Sequence, residues 1–211
     1  TLTPQRPGAS DAVIAARRYY LAGERIDMGT IAADLGVGRT TLYRWVGDRE
    51  TLIAEMLSEM VPEVVTTSVQ EARGEGVDAV VDGMRRFMET SLAYTPLRTL
   101  VEREPELALR VMIAPNAGVS VAIRRRLAYE IGGIWPEWTE TKTEDLADVI
   151  VQIGMAYQWG NVAVNAEPDV DRALKRCACW SRPPSPHRWH GSRHGPSGHP
   201  CLGVPAAPRD P

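Results

Sequence analysis

The stretch that decides the fold is "IAADLGVGRTTLYRWVGDRE", Ile31 to Glu50. It reads as two helical patterns joined by a turn bounded by glycines. Ile31, Ala32 and Leu35 fall on one face of the first, with Asp27 placed to cap its start and Gly36 to end it in a left-handed conformation. Val37, between Gly36 and Gly38, reads as an apolar plug. The second pattern runs from Arg39 to Val46. Leu42 and Val46, four residues apart, turn inward, and Arg39, Thr40, Thr41, Tyr43 and Arg44 are left outside. A helix of about two turns gains little stability alone, so its polar face is expected to serve something beyond the core.

Outward from this centre the chain continues helical. Ser10 is placed to cap a first helix in which Val13, Ile14, Arg17, Tyr20 and Leu21 keep helical spacing up to a stop at Gly23. Asp48 caps a fourth helix carrying Leu52, Ile53, Met56, Leu57 and Met60, which Pro62 is expected to kink or break. Further on, "GVDAVVDGMRRFMETSLAY" and "GVSVAIRRRLAYEIGGIW" each predict a helix, and "LRTLVEREPELALRVMI" predicts two, split at Pro105. "EDLADVIVQIGMAYQWGNVAV" carries too many apolar residues for a single buried face, which points to a partner subunit on its second side. No segment alternates as a strand would. The sequence thus predicts an all-α protein: a flexible arm at 1–9, a helix-turn-helix domain at 10–60, a larger helical domain at 61–175 and a tail at 176–211.

The charge is uneven along the chain. The net charge is −3, with seven arginines against eight acids in residues 1–60 and twelve basic against eighteen acidic residues in 61–175. Attraction to nucleic acid must therefore come from the placement of a few arginines and not from bulk charge. No apolar run approaches transmembrane length, and "TLTPQRPGAS" lacks the apolar core of a signal peptide, so a cytoplasmic protein is expected.

The tail, from Arg176, has a different character. It holds all three cysteines, all four histidines and eight of the sixteen prolines, a composition that predicts disorder. Three readings stand side by side. Cys177, Cys179, His187, His190, His194, His199 and Cys201 are residue types that suit zinc or copper, although Cys-x-Cys is tighter than the usual knuckle and no second pair follows. Alternatively the tail is the product of a shifted reading frame, in which case the chain's function is impaired. A basic arm grazing phosphates is the third. On this spacing no metal site is assigned, and no cofactor is expected.

A helix-turn-helix works by holding its second helix from behind while the outer face enters the major groove. Arg39, at the start of that helix, can address a guanine bidentately, a contact worth about 1–3 kcal/mol of discrimination. Thr40 and Thr41 can bond a base or a phosphate, and Tyr43 and Arg44 lie one step further on. Trp45 is expected at the backbone edge, Thr30 on the supporting helix as a further contact, and Arg49 at a phosphate beside the next helix's amides.

The run "IAADLGVGRTTLYRWVGDRETL" resembles the DNA-binding domain of TetR-family transcriptional regulators. Ile31-Ala32, Leu35-Gly36-Val37, Thr41-Leu42-Tyr43 and Arg49 fill the family pattern. "EREPELALR" and "VIVQIGMAYQWGNVAVNAEPDVDRAL" are similar to the C-terminal domain of the branch named after a regulator of quorum-sensing-signal degradation. Asp27, Gly29, Gly38 and Val46 depart from the pattern, where threonine, a polar or basic residue, serine and an aromatic are frequent.

The resemblance implies a homodimeric repressor that sets its two reading helices in successive major grooves of a palindromic operator. It also implies that the larger domain binds a small-molecule effector, with Met84, Phe87, Met88, Arg103, Met112, Tyr157 and Trp159 as candidate lining. Enzymatic chemistry has little to stand on: no histidine precedes His187, no cysteine precedes Cys177, and Glu102, Glu104 and Glu106 read as a solvated helix surface. A metal-responsive protein acting through the tail is the alternative.

Overall fold

The computed structural model describes residues 6–113, 118–160 and 168–181, the side chains only as far as residue 176. Among the described residues the chain is entirely helical. The head is built from α1 (Ala9–Leu21), α2 (Met28–Asp34) and α3 (Arg39–Val46), and a long α4 (Arg49–Gln70) leads into the body. The body continues with α5 (Val77–Ala93), α6 (Thr95–Arg103), α7 (Pro105–Ile113), α8 (Gly118–Ile134) and α9 (Glu140–Met155). A π-helical turn over Ala156–Gly160 follows, and α10 (Val170–Ser181) closes the described chain.

Local chemistry sets the head's boundaries. The Asp27 carboxylate accepts the Thr30 amide at 2.9 Å at the start of α2. Asp48 accepts both the amide and the hydroxyl of Thr51 at 2.8 Å at the start of α4. Such caps satisfy amides that the first helical turn leaves without partners. Between these caps two glycines turn the chain: Gly36 at φ +65° and Gly47 at φ +69°, conformations that a side chain resists. The two turns fix how α3 leaves α2 and how α4 leaves α3. Behind them Val13, Ala16, Ile31, Leu42, Leu52, Ile53 and Met56 form a core that is almost wholly closed to solvent. On the surface, Asp34 ties α2 to α1 by accepting from Arg18 at 2.5 Å and from the Tyr19 hydroxyl at 2.6 Å.

The expected break at Pro62 does not occur. Pro62 lies inside α4, which runs unbroken across the boundary placed at residues 60 and 61. Proline removes one amide from the ladder, but Leu57 and Val65, buried on either side of it, pin both halves to the same core. Head and body consequently share one helix, packed on α1 at one end and on α5 and α8 at the other.

Three further boundaries differ from the sequence reading. The first helix starts at Ala9 with Gly8 at its N-cap, so Ser10 lies inside α1 and does not cap it. The apolar helix expected to continue past Tyr157 stops being α-helical at Met155 and widens into the π turn, and residues 161–167 lie outside the described chain. The C-terminal helix α10 passes the boundary set at residue 175 and reaches Ser181, packing on α5 and α9 with Ala173 and Leu174 buried. Its apolar anchors precede the composition change, so helix continues for several residues into a segment that composition alone assigned to the tail. The candidate metal ligands from His187 to Cys201 lie outside the described residues, as do the side chains of Cys177 and Cys179.

Candidate nucleic-acid interface

The short helix α3 is anchored from inside by Leu42 and Val46, 0% and 3% exposed. Its remaining side chains divide by position on the helix. Arg39, Thr40, Tyr43 and Arg44 are exposed, and Thr41 and Trp45 are half-buried, with the Trp45 indole packed against the core. Tyr43 is 48% exposed, unusual for a large aromatic ring on a small head. No acid stands in the first turn of α3, and Arg44 lies in its last turn. The helix therefore offers a face of guanidinium, hydroxyl and phenol groups, the donors that base edges and phosphates accept from.

The neighbouring helix shapes how Arg39 rests. A side chain at Gly29 would lie within 3.1 Å of three atoms of the Arg39 guanidinium group, so glycine there leaves the space in which that group sits. Asp27 is close enough to feel the charge. Its carboxyl is held below the usual range, first by the Thr30 amide, then by the Thr30 hydroxyl and the Gly29 amide, and in smaller part by Arg39. Glycine at position 29 thus has a role of its own besides the absence of a polar contact. The Thr30 hydroxyl is exposed and shared with Asp27 at 3.2 Å, so a phosphate would have to compete for it.

Arg49 is placed differently from the expectation of a phosphate contact. Its guanidinium turns inward, donating to both oxygens of Glu104 at 2.6 and 2.5 Å, and its Nε donates to the Ile26 carbonyl at 2.5 Å. Side-chain exposures of 20% and 23% make this a largely covered bidentate pair. Glu104, which reads in the sequence as part of a solvated surface, is thereby the acceptor that fastens the head to the body. Its carboxyl is lowered chiefly by the hydrogen bonds from Arg49. Two more straps lie alongside: Arg103 donates to the Gly23 carbonyl at 2.8 Å, and Arg110 pairs with Glu50 at 3.0 Å.

A cavity of about 450 Å³ lies where head and body meet. Of the expected lining residues, Phe87, Met112 and Trp159 line it. Met84 faces a smaller pocket beside it, which Phe87 and Met155 share. The other three lie elsewhere. Met88 is fully enclosed in the core, and its carbonyl accepts from Gln158 at 3.5 Å. Arg103 is one of the straps, and the Tyr157 ring lies under the Arg172 guanidinium at 5.8 Å. Helical periodicity identifies the apolar side of each helix but not which part of that side borders an opening. The cavity also recruits two residues of α1, Arg17 and Tyr20, together with Tyr94. Tyr20 reads as ordinary core in the sequence, and no local signal marks it as cavity wall.

α8 and α9 pack side by side and leave a broad groove lined largely by charged side chains, among them Arg124, Arg125, Glu140, Glu144 and Asp148. Leu146, Val149 and Ile153 of α9 are only half-buried, and Tyr129 of α8 is 71% exposed. Among the described residues no group of three or more His, Cys, Asp or Glu is placed to hold a metal, and no single helix is long and apolar enough to cross a membrane.

This architecture is found in known proteins. The sequence model of the family described as "Tetracyclin repressor-like, C-terminal domain" matches residues 75–179. A solved structure of the R. erythropolis transcriptional repressor QsdR, from the TetR family, superposes with a TM-score of 0.75 at 26% identity, covering 81% of this chain and 92% of that one. The TetR family repressor AlkX from Dietzia sp. strain DQ12-45-1b, implicated in biodegradation of n-alkanes, has the same fold, with a TM-score of 0.58 at 22% identity over 81% of this chain and 91% of its own. No curated protein sequence gives a significant match. The helix-turn-helix head, the all-helical body and these matches agree: the chain belongs to the TetR family of transcriptional regulators.

Proposed function

We propose that the protein is a transcriptional repressor that binds a palindromic operator as a homodimer and leaves it when a small molecule fills the cavity. The observation that carries this reading is the division of α3, with Leu42 and Val46 closed into the core and Arg39, Thr40, Tyr43 and Arg44 turned to solvent. Arg39 addresses a base edge, Thr40 and Thr41 hold the register, and Tyr43 and Arg44 reach phosphate or a second base.

A single such helix touches too few bases to find one site in a genome, so two copies are required. The surface that a second copy would cover is the groove between α8 and α9, where Tyr129 stands exposed. Paired there, two heads would read half-sites about one helical turn apart, roughly 34–36 Å. The effector weakens binding only by favouring a head position that fits this spacing poorly. The straps from Arg49 to Glu104 and from Arg103 to Gly23 support that coupling, because they oblige the head to follow α6 and α7.

The test is selection of genomic DNA fragments by the purified full chain, with the retained fragments sequenced. Enrichment of an inverted repeat with half-sites about one turn apart is expected. Retention with no shared sequence would overturn the reading.

A further inference from the structure

The cavity has an uneven chemistry. Deep inside, Phe87, Ile123, Met155 and Trp159 present an apolar wall. At the seam with the head the wall becomes polar through Tyr20, Tyr94 and Arg17, and two of these belong to α1 of the head itself.

The polar end is rich in donors. The Tyr20 and Tyr94 rings are tilted against each other with centroids 6.2 Å apart. Burial, with no hydrogen-bond partner contributing, raises both phenols above their ordinary value, so both remain protonated donors at any physiological pH. The Nε of Arg17 is enclosed without a hydrogen-bond partner among the described residues and does not open into the cavity, so the phenols are the donors there. No positive charge is left over, because the Arg17 guanidinium pairs with Glu59 at 2.8 Å and Glu63 adds a second acid at the rim. A carboxylate would meet these two acids with no free cation. A cationic end could meet these acids only at the rim, where both are exposed and water screens them, while the phenols at the seam offer it donors.

We infer that the effector is a neutral, largely apolar molecule carrying a carbonyl-type acceptor, held at the head–body seam by Tyr20 and Tyr94. The inference rests on the reading of the cavity as an effector site. The volume accommodates roughly fifteen heavy atoms at about 30 Å³ each. The molecule touches the DNA-binding head directly through α1, so its arrival acts on the head without first having to move the body.

The test is calorimetric titration of the full chain, without DNA, by three probes with one chain length: methyl octanoate, octanoate and octyltrimethylammonium. Methyl octanoate is expected to bind at least about tenfold more tightly than either charged probe, since an unpaired charge is poorly tolerated there. Tyr20→Phe and Tyr94→Phe, which remove only a hydroxyl, are each expected to weaken the ester about three- to tenfold, with unchanged melting curves. Octanoate binding as tightly as the ester, or ester affinity unmoved by both variants, overturns the inference. No ester binding up to its solubility limit, in protein that still retains its DNA fragments, overturns it as well and leaves the repressor reading standing. Failure of DNA selection alongside tight ester binding counts against the repressor reading and upholds the cavity's chemistry.

Discussion

The strap between Arg49 and Glu104 gives a prediction that separates two roles for one arginine. The side chains exchange two charge-assisted hydrogen bonds and are about four-fifths covered, and Arg49 keeps a third bond to the Ile26 carbonyl. Removing one partner of a charged hydrogen bond costs about 1.5–3 kcal/mol, and the remaining exposure together with the surviving Ile26 bond brings the expected loss for Glu104→Gln to about 2 kcal/mol at neutral pH. For a chain of this size that is a fall of roughly 4–8 °C in melting temperature. The pH dependence has a definite sign. The folded-state pKa of Glu104 is lowered from 4.5, so its contribution is fully present above that value and is lost as pH falls through the lower folded-state value. The gap between the native chain and Glu104→Gln should therefore narrow steadily below pH 4.5. The assay is urea unfolding of both proteins from pH 7 downward. Arg49→Gln should show a comparable loss of stability while leaving the salt dependence of operator binding unchanged. If Arg49 contacted a phosphate instead, Arg49→Gln would reduce the slope of log K against log salt by about one and spare stability. That outcome would refute the strap.

Three further outcomes follow from the head's geometry. Gly47→Ala places a side chain at φ +69°, ψ −135°, with Thr51 atoms 3.4 Å from the new carbon, and should cost about 1–3 kcal/mol in chemical denaturation. Asp48→Ala removes the cap that the Thr51 amide and hydroxyl bond, and should cost about 1 kcal/mol. The Asp48 carboxyl is held low by those same bonds, so this difference too should shrink as pH falls below the ordinary aspartate range. Gly29→Ala must push the Arg39 guanidinium from its resting place, so it should change operator affinity or sequence preference in a binding isotherm while moving stability by less than about 1 kcal/mol.

The elements of the head were legible in the sequence because their determinants are local. Asp27 and Asp48 cap within three residues of the groups they satisfy, Gly36 and Gly47 turn the chain where they stand, and the four-residue step from Leu42 to Val46 orients α3. What escaped the sequence depends on residues far apart in the chain. Arg49 and Glu104 are 55 positions apart, and nothing in the surroundings of either indicates the other. Tyr20 has the spacing of a core residue and is one, yet it also lines a cavity shared with Tyr94. The break expected at Pro62 is absent for a related reason. A helix breaker acts through the backbone, whereas α4 is held by side chains buried on both sides of it.

The central claim is that the outer face of α3 reads DNA, and it is tested most directly by comparing the native chain with Arg39→Ala and Arg44→Ala on the selected operator and on scrambled DNA. Arg39→Ala should lose about 1–3 kcal/mol on the operator and discriminate less well at one base position. Arg44→Ala should weaken operator and scrambled DNA alike and lower the salt slope by about one. Both variants should melt as the native protein does. Unchanged affinity for the operator in both variants would contradict the account.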